Sequence, residues 1–183
     1  MSLDIITLHP DCKDREFFER INREAFPSWE RMSFDDIFKF AFVTNTDVLG
    51  IYENGNPIGF AVLLKNEECG YIYYFAIDSR LRCHGYGGAA VKKLMEQYPG
   101  LQLVLDFEML DETVENNEQR IRRKNFYLRN GFHETGYYTL LSGERFELVC
   151  NKGNLQIEAM KDLLRILHRH RPEFPEVLGE IAK

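Results

Sequence analysis

The sequence predicts a single α/β domain with a mixed, mostly antiparallel central sheet flanked by helices. Short apolar runs bounded by turn residues alternate with stretches of helical periodicity, which is the pattern of a mixed fold. The chain has 183 residues, a length that suits one domain. Hydrophobic residues make up 44% of it and charged residues 28%, proportions typical of a globular protein rather than a disordered one.

The first part of the chain predicts a strand, two helices and a hairpin. LDIITLHP (3–10) has the composition of a first strand. Residues 14–42 carry apolar side chains at spacings of three and four, which indicates helix. Pro27 interrupts this pattern, and Ser33 marks the capped start of a second helix. VLGIYENGNPIGFAVLL (48–64) predicts a β-hairpin, because ENGNP is a turn signal between two apolar runs.

The middle and the end of the chain continue the alternation. GYIYYFAID (70–78) predicts a strand, and LQLVLDFEML (101–110) predicts another, whose nearly continuous apolar run is typical of the buried middle of a sheet. Helices are expected from about residue 85 to residue 98 and over residues 118–131. Two further runs, FHETGYYTLL and RFELVC, predict a closing hairpin within residues 132–150.

From the order of the predicted strands and helices, we assign residues 1–150 to the α/β domain and residues 151–183 to a C-terminal helical extension. The extension contains an amphipathic helix, whose apolar residues recur at helical spacing. We expect this helix to pack on the same domain; pairing with a second subunit in a homodimer is left open.

Composition and charge exclude several classes of protein. The net charge of -6 disfavours a nucleic-acid binder. No run of about 18 apolar residues predicts a membrane span, and the start of the chain lacks the pattern of a secretory signal. The four cysteines are scattered without a CxxC pair, which argues against zinc and against a disulfide framework. We therefore expect a cytoplasmic protein with reduced thiols and no metal, nucleic-acid or membrane partner.

RLRCHGYGGAAVKKL (80–94) places three glycines within four positions at the predicted start of a helix. Glycine inside a helix costs about 1 kcal/mol relative to alanine, so bare backbone should serve a purpose there. Successive backbone N–H groups at a helix start bind anions, and the helix dipole reinforces this attraction. The segment therefore predicts a site for a pyrophosphate, carried either by a dinucleotide or by coenzyme A.

A dinucleotide fits the spacing of the glycines but not their setting. Residues 85–90 match the fingerprint G-x-G-x-x-A, and Asp106 lies where a ribose-binding acid is expected. That fingerprint should begin directly at the end of a strand, yet residues 79–84 intervene. The preceding hairpin also stands where the dinucleotide fold needs its first βαβ unit. A nucleotide-dependent oxidoreductase is thus the weaker alternative.

Residues 82–87 also match [RQ]-x-x-G-x-[GA], and in this setting they resemble the acetyl-CoA loop of the GNAT (GCN5-related N-acetyltransferase) family. Residues 125–132 are similar to the family's FYxxxGF segment, and the resemblance covers roughly residues 3–150 in element order. It implies a GNAT-like fold and transfer of the acetyl group of acetyl-CoA, the cosubstrate, to a primary amine by direct attack in a ternary complex. The acceptor would be a small-molecule or peptide amine. The alternative is an inactive acetyl-CoA-binding regulatory module.

The resemblance assigns coenzyme A to a strand end and to the loop and helix start that follow it. The strand end would present backbone groups to the pantetheine arm, and one N–H there could polarise the thioester carbonyl. Arg82 would add a charge-assisted donor for phosphate. The expected cofactor-binding residues are Phe75, Ala76, Ile77, Arg82, Cys83, His84, Gly85, Tyr86, Gly87, Gly88 and Ala89.

The resemblance also identifies candidate catalytic residues. Tyr127 matches the family tyrosine near the sulfur of coenzyme A and would act as general acid toward the departing thiolate. The family often carries an asparagine seven residues earlier, where this chain has Arg120. Glu108 is the candidate base, because a carboxylate in an apolar cleft has a raised pKa. Trp29 and Glu30, between the first two helices, are candidates for acceptor binding, and Glu30 is a further candidate base.

Overall fold

Strands and helices follow one another in the predicted order in the computed structural model, which describes residues 2–82, 84–174 and 178–181. The strands are β1 (Leu3–Thr7), β2 (Thr46–Glu53), β3 (Asn56–Lys65), β4 (Cys69–Ile77), β5 (Gln102–Glu108), β6 (His133–Leu141), β7 (Glu144–Cys150) and β8 (Gly179–Glu180). The helices are α1 (Arg15–Ala25), α2 (Phe34–Val43), α3 (Tyr86–Gln97), α4 (Asn117–Arg129) and α5 (Ile157–His170).

The strands form one eight-stranded sheet in the order β1-β2-β3-β4-β5-β7-β6-β8. β4 and β5 run parallel, whereas β1–β2, β2–β3, β5–β7, β6–β7 and β6–β8 run antiparallel. This topology confirms the predicted mixed, mostly antiparallel sheet. β5 has a partner on each side, as its continuous apolar sequence predicted.

Two short elements escaped the sequence prediction. A 3-10 turn at Ser79–Leu81 follows β4, and the two-residue β8 pairs with β6. With three and two residues, these elements are too short for a hydrophobic pattern to repeat, so neither leaves a periodic signal.

The chain forms two compact units, Met1–Leu64 with Ile72–Gln97 and Lys65–Tyr71 with Tyr98–Lys183. α5 belongs to the second unit. The assignment of residues 1–150 to a domain and 151–183 to an extension stays a prediction, as does the homodimer.

Aromatic side chains dominate the core of the first unit. Phe34 stacks on Phe18 at 6.2 Å between ring centroids and meets Phe60 edge-on at 5.1 Å. α2 begins where its cap was predicted, because the Ser33 hydroxyl accepts a hydrogen bond of 3.1 Å from the Asp36 N–H. These contacts hold α1 and α2 on the β2–β3 hairpin of this unit.

The second unit is organised around β5 and the two helices packed near it. Tyr127 of α4 stacks on Phe107 of β5, with ring centroids 5.7 Å apart. The apolar face of α5 is fully buried, as its amphipathic sequence predicted; its members are Met160, Leu163, Leu164 and Leu167. The Asn66 side-chain amide donates to the Ala159 carbonyl at 2.8 Å and ties α5 to the segment before β4 within this unit.

Three negative observations apply to the described residues only. Among them, no helix is long and apolar enough to cross a bilayer. In the same ranges, no three His, Cys, Asp or Glu side chains cluster as a metal site would require. Among the described cysteines, Cys12, Cys69 and Cys150 are free thiols. The cytoplasmic location of the protein stays a prediction.

Candidate functional site

The glycine-rich segment leads directly into α3. Gly85 precedes the helix with φ +82°, a left-handed conformation that side-chain-bearing residues rarely adopt. The Ala89 N–H donates to the Gly85 carbonyl at 3.1 Å and closes the first turn. The N–H groups of residues 86–88 therefore lie in the first turn of the helix, where no intrahelical acceptor reaches them. With no side chains on Gly87 and Gly88, this helix start fits a pyrophosphate.

The start of α3 is anchored to the sheet of the first unit. Ala90 belongs to a buried cluster with Leu3 and Ile51, and Tyr86 packs against that cluster. The Tyr86 hydroxyl also donates a hydrogen bond to the Glu53 carboxylate of β2. These contacts leave the helix start little freedom to reorient.

The two arginines of the loop have different surroundings. Arg80 is paired, because its Nε and Nη2 donate to Asp78 at 3.0 and 2.6 Å. Arg82 is exposed and forms no ion pair with any described residue, so its guanidinium is available to a phosphate. The His84 ring is held locally, with Nδ1 at 2.8 Å from the Arg82 carbonyl oxygen. Cys83, also predicted to bind coenzyme A, lies outside the described residues.

The end of β4 carries Phe75, Ala76 and Ile77, the residues expected at the pantetheine arm. β3 approaches this end closely at Gly59, where an added Cβ would lie 2.7 Å from the Ile77 Cδ1 and 3.1 Å from its Cα. The Asp78 N–H continues the contact with a 2.9 Å bond to the Ile58 carbonyl. The parallel ladder with β5 covers only the first three residues of β4.

The loop between α1 and α2 is fastened to β4 through Tyr74. The Tyr74 hydroxyl donates to the Glu30 carbonyl at 2.7 Å and accepts from the Met32 N–H at 2.9 Å. Trp29, in the same loop, is 45% exposed. Sequence reasoning treated Tyr74 as part of a strand and missed its role in anchoring the loop, since its partners are more than 40 residues away.

Tyr127 combines a buried ring with a hydroxyl that meets no acceptor among the described residues. Phe107, Phe126 and Phe132 surround the ring, with centroid distances of 5.0 to 5.8 Å. Burial raises the pKa of Tyr127 to about 12. The phenol therefore keeps its proton at neutral pH and can donate a hydrogen bond.

The two carboxylates of β5 have different environments. Glu108, the predicted base, forms an ion pair with Arg123 of α4. Asp106 accepts hydrogen bonds from the Tyr71 hydroxyl at 2.8 Å and the Thr139 hydroxyl at 3.0 Å. Burial raises the pKa of Asp106 to about 6, although these bonds oppose the shift. Asp106 is thus a half-buried carboxylate with a raised pKa that was not predicted as a base, and its only signal in the sequence is a single charge inside an apolar strand.

Arg120 occupies the position at which the family often has asparagine. Its Nη1 donates to the Met109 carbonyl at 2.7 Å and its Nε to the Asn116 side chain at 3.1 Å. Glu144 lies 3.6 Å away as an ionic partner. These bonds tie α4 to the chain just after β5, which is a structural task within the second unit.

Asp106→Asn is expected to stabilise the protein at pH 7.5. Because the folded pKa of Asp106 exceeds the unfolded value, its contribution to stability is fully present below pH ~4 and is lost as pH rises through its folded pKa. Asparagine can still accept both hydrogen bonds without the buried charge. We expect the free energy of unfolding, measured by urea denaturation, to rise by about 2 kcal/mol at pH 7.5 and to match the wild type near pH 4.

Asp162→Asn is the control for Asp106→Asn, because Asp162 is exposed on α5 and pairs only at the surface with Arg165. Its variant should change stability little at either pH. If Asp106→Asn instead has a lower free energy of unfolding at pH 7.5, the charged carboxylate stabilises the folded protein and the prediction is wrong.

Comparisons with known proteins identify the family of the chain. The model of the Acetyltransferase (GNAT) family matches residues 15–132, which is more than half of the chain. A Bacteroides thetaiotaomicron protein assigned to GNAT acetyltransferases is 26% identical and superposes with a TM-score of 0.70; the match covers 94% of this chain and 98% of that one. No curated protein sequence matches.

Two further solved structures share the fold. The ribosomal-protein-S18-alanine N-acetyltransferase of Escherichia coli is 17% identical, with a TM-score of 0.59 and coverage of 84% of this chain and 96% of its own. A GNAT acetyltransferase of Elizabethkingia anophelis with acetyl-CoA bound is 14% identical, with a TM-score of 0.58 and coverage of 82% and 98%. Taken with the family match over residues 15–132, these findings establish that the chain belongs to the GNAT acetyltransferase family.

Proposed function

We propose that the protein transfers the acetyl group of acetyl-CoA to a primary amine by direct attack in a ternary complex. The observation that carries the proposal is the bare glycine start of α3, preceded by the exposed Arg82, which forms no ion pair with any described residue. Family membership supports acetyl transfer, and the Elizabethkingia anophelis neighbour has acetyl-CoA bound. Residues 86–88 would receive the pyrophosphate, and Arg82 would add a charge-assisted bond.

Acetyl-CoA, when bound, supplies a thioester that an amine can attack. The end of β4 would hold the pantetheine arm, with a backbone N–H of Phe75, Ala76 or Ile77 directed at the thioester carbonyl. The short ladder between β4 and β5 supports this assignment, because it engages only residues before Ile72. Holding both reactants in place would supply much of the rate.

Tyr127 is proposed to stabilise the departing thiolate from its buried position. Its pKa of about 12 lies well above the ordinary thiol value of about 8.5, so complete proton transfer from phenol to thiolate is uphill. The phenol would therefore act mainly as a hydrogen-bond donor. The proton that the base takes from the acceptor amine can then reach the sulfur through water, so that free thiol leaves.

Glu108 is proposed as the base that takes the proton of the acceptor amine. Its ion pair with Arg123 is made through Oε2, which leaves Oε1 to face an amine or a bridging water. Glu30 remains a further candidate base on the loop that Tyr74 anchors. Either carboxylate would act directly or through one water.

The acceptor is proposed to be a small-molecule or peptide amine that contacts the loop carrying Trp29 and Glu30. Trp29 offers an exposed aromatic surface, and the net charge of -6 favours a cationic acceptor. The Escherichia coli neighbour is named for acetylating the alanine of a ribosomal protein, which is one amine of the peptide class.

Calorimetric titration with acetyl-CoA, beside NADH, tests the proposal. We expect saturable binding of acetyl-CoA with a dissociation constant in the micromolar range and no binding of NADH. Free thiol release with a panel of amines then measures turnover. Binding of NADH alone would replace the transferase with a nucleotide-dependent oxidoreductase. Tight acetyl-CoA binding without turnover on any amine would instead indicate a regulatory module.

A further inference from the structure

Asp78 is a buried carboxylate at the junction between β4 and the glycine loop. Its side chain is only 3% exposed, and it does not belong to the predicted coenzyme A residues. A buried charge is costly unless it is paired and hydrogen-bonded, so its partners show what the position needs.

The partners of Asp78 come from two directions within the first unit. Arg20 of α1 donates from Nη2 to Oδ2 at 2.8 Å. Arg80 donates from its backbone N–H to Oδ1 at 3.0 Å and from its guanidinium to both oxygens. The two arginines hold the pKa of Asp78 well below its usual range. The carboxylate is therefore charged throughout the pH range of an ordinary assay.

These bonds determine the course of the loop. The bond from the Arg80 N–H caps the turn Ser79–Leu81, and the Arg20 bond fastens the turn to α1. The Asp78 N–H is itself held by the Ile58 carbonyl of β3. Asp78 thus joins β3, α1 and the turn at one point, four residues before Arg82.

We propose that Asp78 is a positioning residue for the pyrophosphate of acetyl-CoA. By fixing the turn that follows β4, it directs Arg82 and the N–H groups at the start of α3 toward the phosphates. It also keeps Arg80 occupied, so that this arginine does not compete for them. Losing one hydrogen bond to a charged phosphate would lower the affinity by a factor of about 10 to 100. The inference rests on the proposed function, because it concerns the same anion site.

Asp78→Asn tests the inference, because it removes the charge with almost no change of shape. The readout is a comparison of two donors: acetyl-CoA, and S-acetylpantetheine, which has the thioester but no pyrophosphate. We expect the dissociation constant for acetyl-CoA to rise about 10-fold or more, the effect of losing one charge-assisted hydrogen bond to the phosphates. The dissociation constant for S-acetylpantetheine should stay within about twofold of the wild type, since the displaced loop would contact only the phosphates.

Two further variants distinguish a positioning role of Asp78 from an effect on folding and from a general effect of losing one negative charge. Asp162→Asn makes the same chemical change at an exposed pair on α5 and should leave both constants unchanged. If Asp78→Asn does not fold, as judged by circular dichroism, Arg20→Gln removes the α1 partner instead, and the same selective loss is expected.

Three results would overturn the inference. Equal weakening of both donors would assign Asp78 to folding of the unit. Unchanged acetyl-CoA binding would show that the loop keeps its course without the carboxylate. Tighter binding would show that freed arginines assist the phosphates. Failure of the wild type to bind acetyl-CoA would refute the proposed function itself, so the two failures are distinguishable.

Discussion

Gly87→Glu is expected to weaken acetyl-CoA binding by at least about 100-fold while the protein stays folded. Gly87 lies in the first turn of α3, where the pyrophosphate is proposed to bind. Two like charges about 4 Å apart repel by about 4 kcal/mol at an effective dielectric constant of about 20, close to a factor of 1,000. A glutamate in the first turn is favourable to the helix itself, because it complements the dipole. Calorimetric titration with acetyl-CoA measures the loss.

Gly100→Glu is the matched control for this substitution. Gly100 lies in the turn after α3, and an added Cβ there would meet no atom within 4 Å. The variant has the same net charge as Gly87→Glu but should bind acetyl-CoA like the wild type. Unchanged affinity of the Gly87→Glu protein would refute the assignment of the pyrophosphate to this helix start.

Tyr127→Phe is expected to lower kcat by about 100-fold and to change the affinity for acetyl-CoA by less than threefold. The ring is buried among Phe107, Phe126 and Phe132, so phenylalanine preserves the packing. Only the hydroxyl is lost, and in the proposed mechanism that hydroxyl matters when the thiolate departs. An interaction made mainly in the transition state lowers kcat and leaves ground-state binding intact. Steady-state kinetics and titration with acetyl-CoA separate the two effects.

Tyr98→Phe controls for the loss of a phenol elsewhere. The Lys65 Nζ lies over the Tyr98 ring, 5.8 Å from its centroid, and a phenylalanine ring can make the same cation–π contact. This variant should keep its kcat. If Tyr127→Phe also keeps its kcat, the tyrosine has a packing role only, and the thiolate must be stabilised by another group.

The elements of the fold were largely readable from local sequence. The alternation of apolar runs and turn residues predicted the β2–β3 hairpin, and the Ser33 cap predicted the start of α2. The continuous apolar run of β5 predicted a strand with neighbours on both sides. Such signals are readable because helix caps, turns and strand periodicity involve residues close together in the chain. β8 was missed because two residues carry no period.

Part of the candidate site was predictable from local sequence, and part of it was not. The spacing of the glycines and Arg82 predicted an anion site, since the N–H groups of a helix start belong to consecutive residues. The environments of the carboxylates were not readable. Glu108 was the expected base, yet the structure pairs it with Arg123 and reveals Asp106 as a half-buried carboxylate whose pKa is raised.

By itself, the sequence determined the order of the elements and the mixed sheet, and it predicted an anion site at the glycines, because each depends on the residue types within a short segment. Only the tertiary structure decided which charged side chains form ion pairs within the protein and which do not. Arg80 and Arg82 are two residues apart, chemically identical and both exposed, but Asp78 pairs with Arg80, whereas Arg82 forms no ion pair with any described residue. Asp78 is bound in turn by Arg20, 58 residues away in the chain. Contacts of this range are set by packing, and packing leaves no local pattern in the sequence.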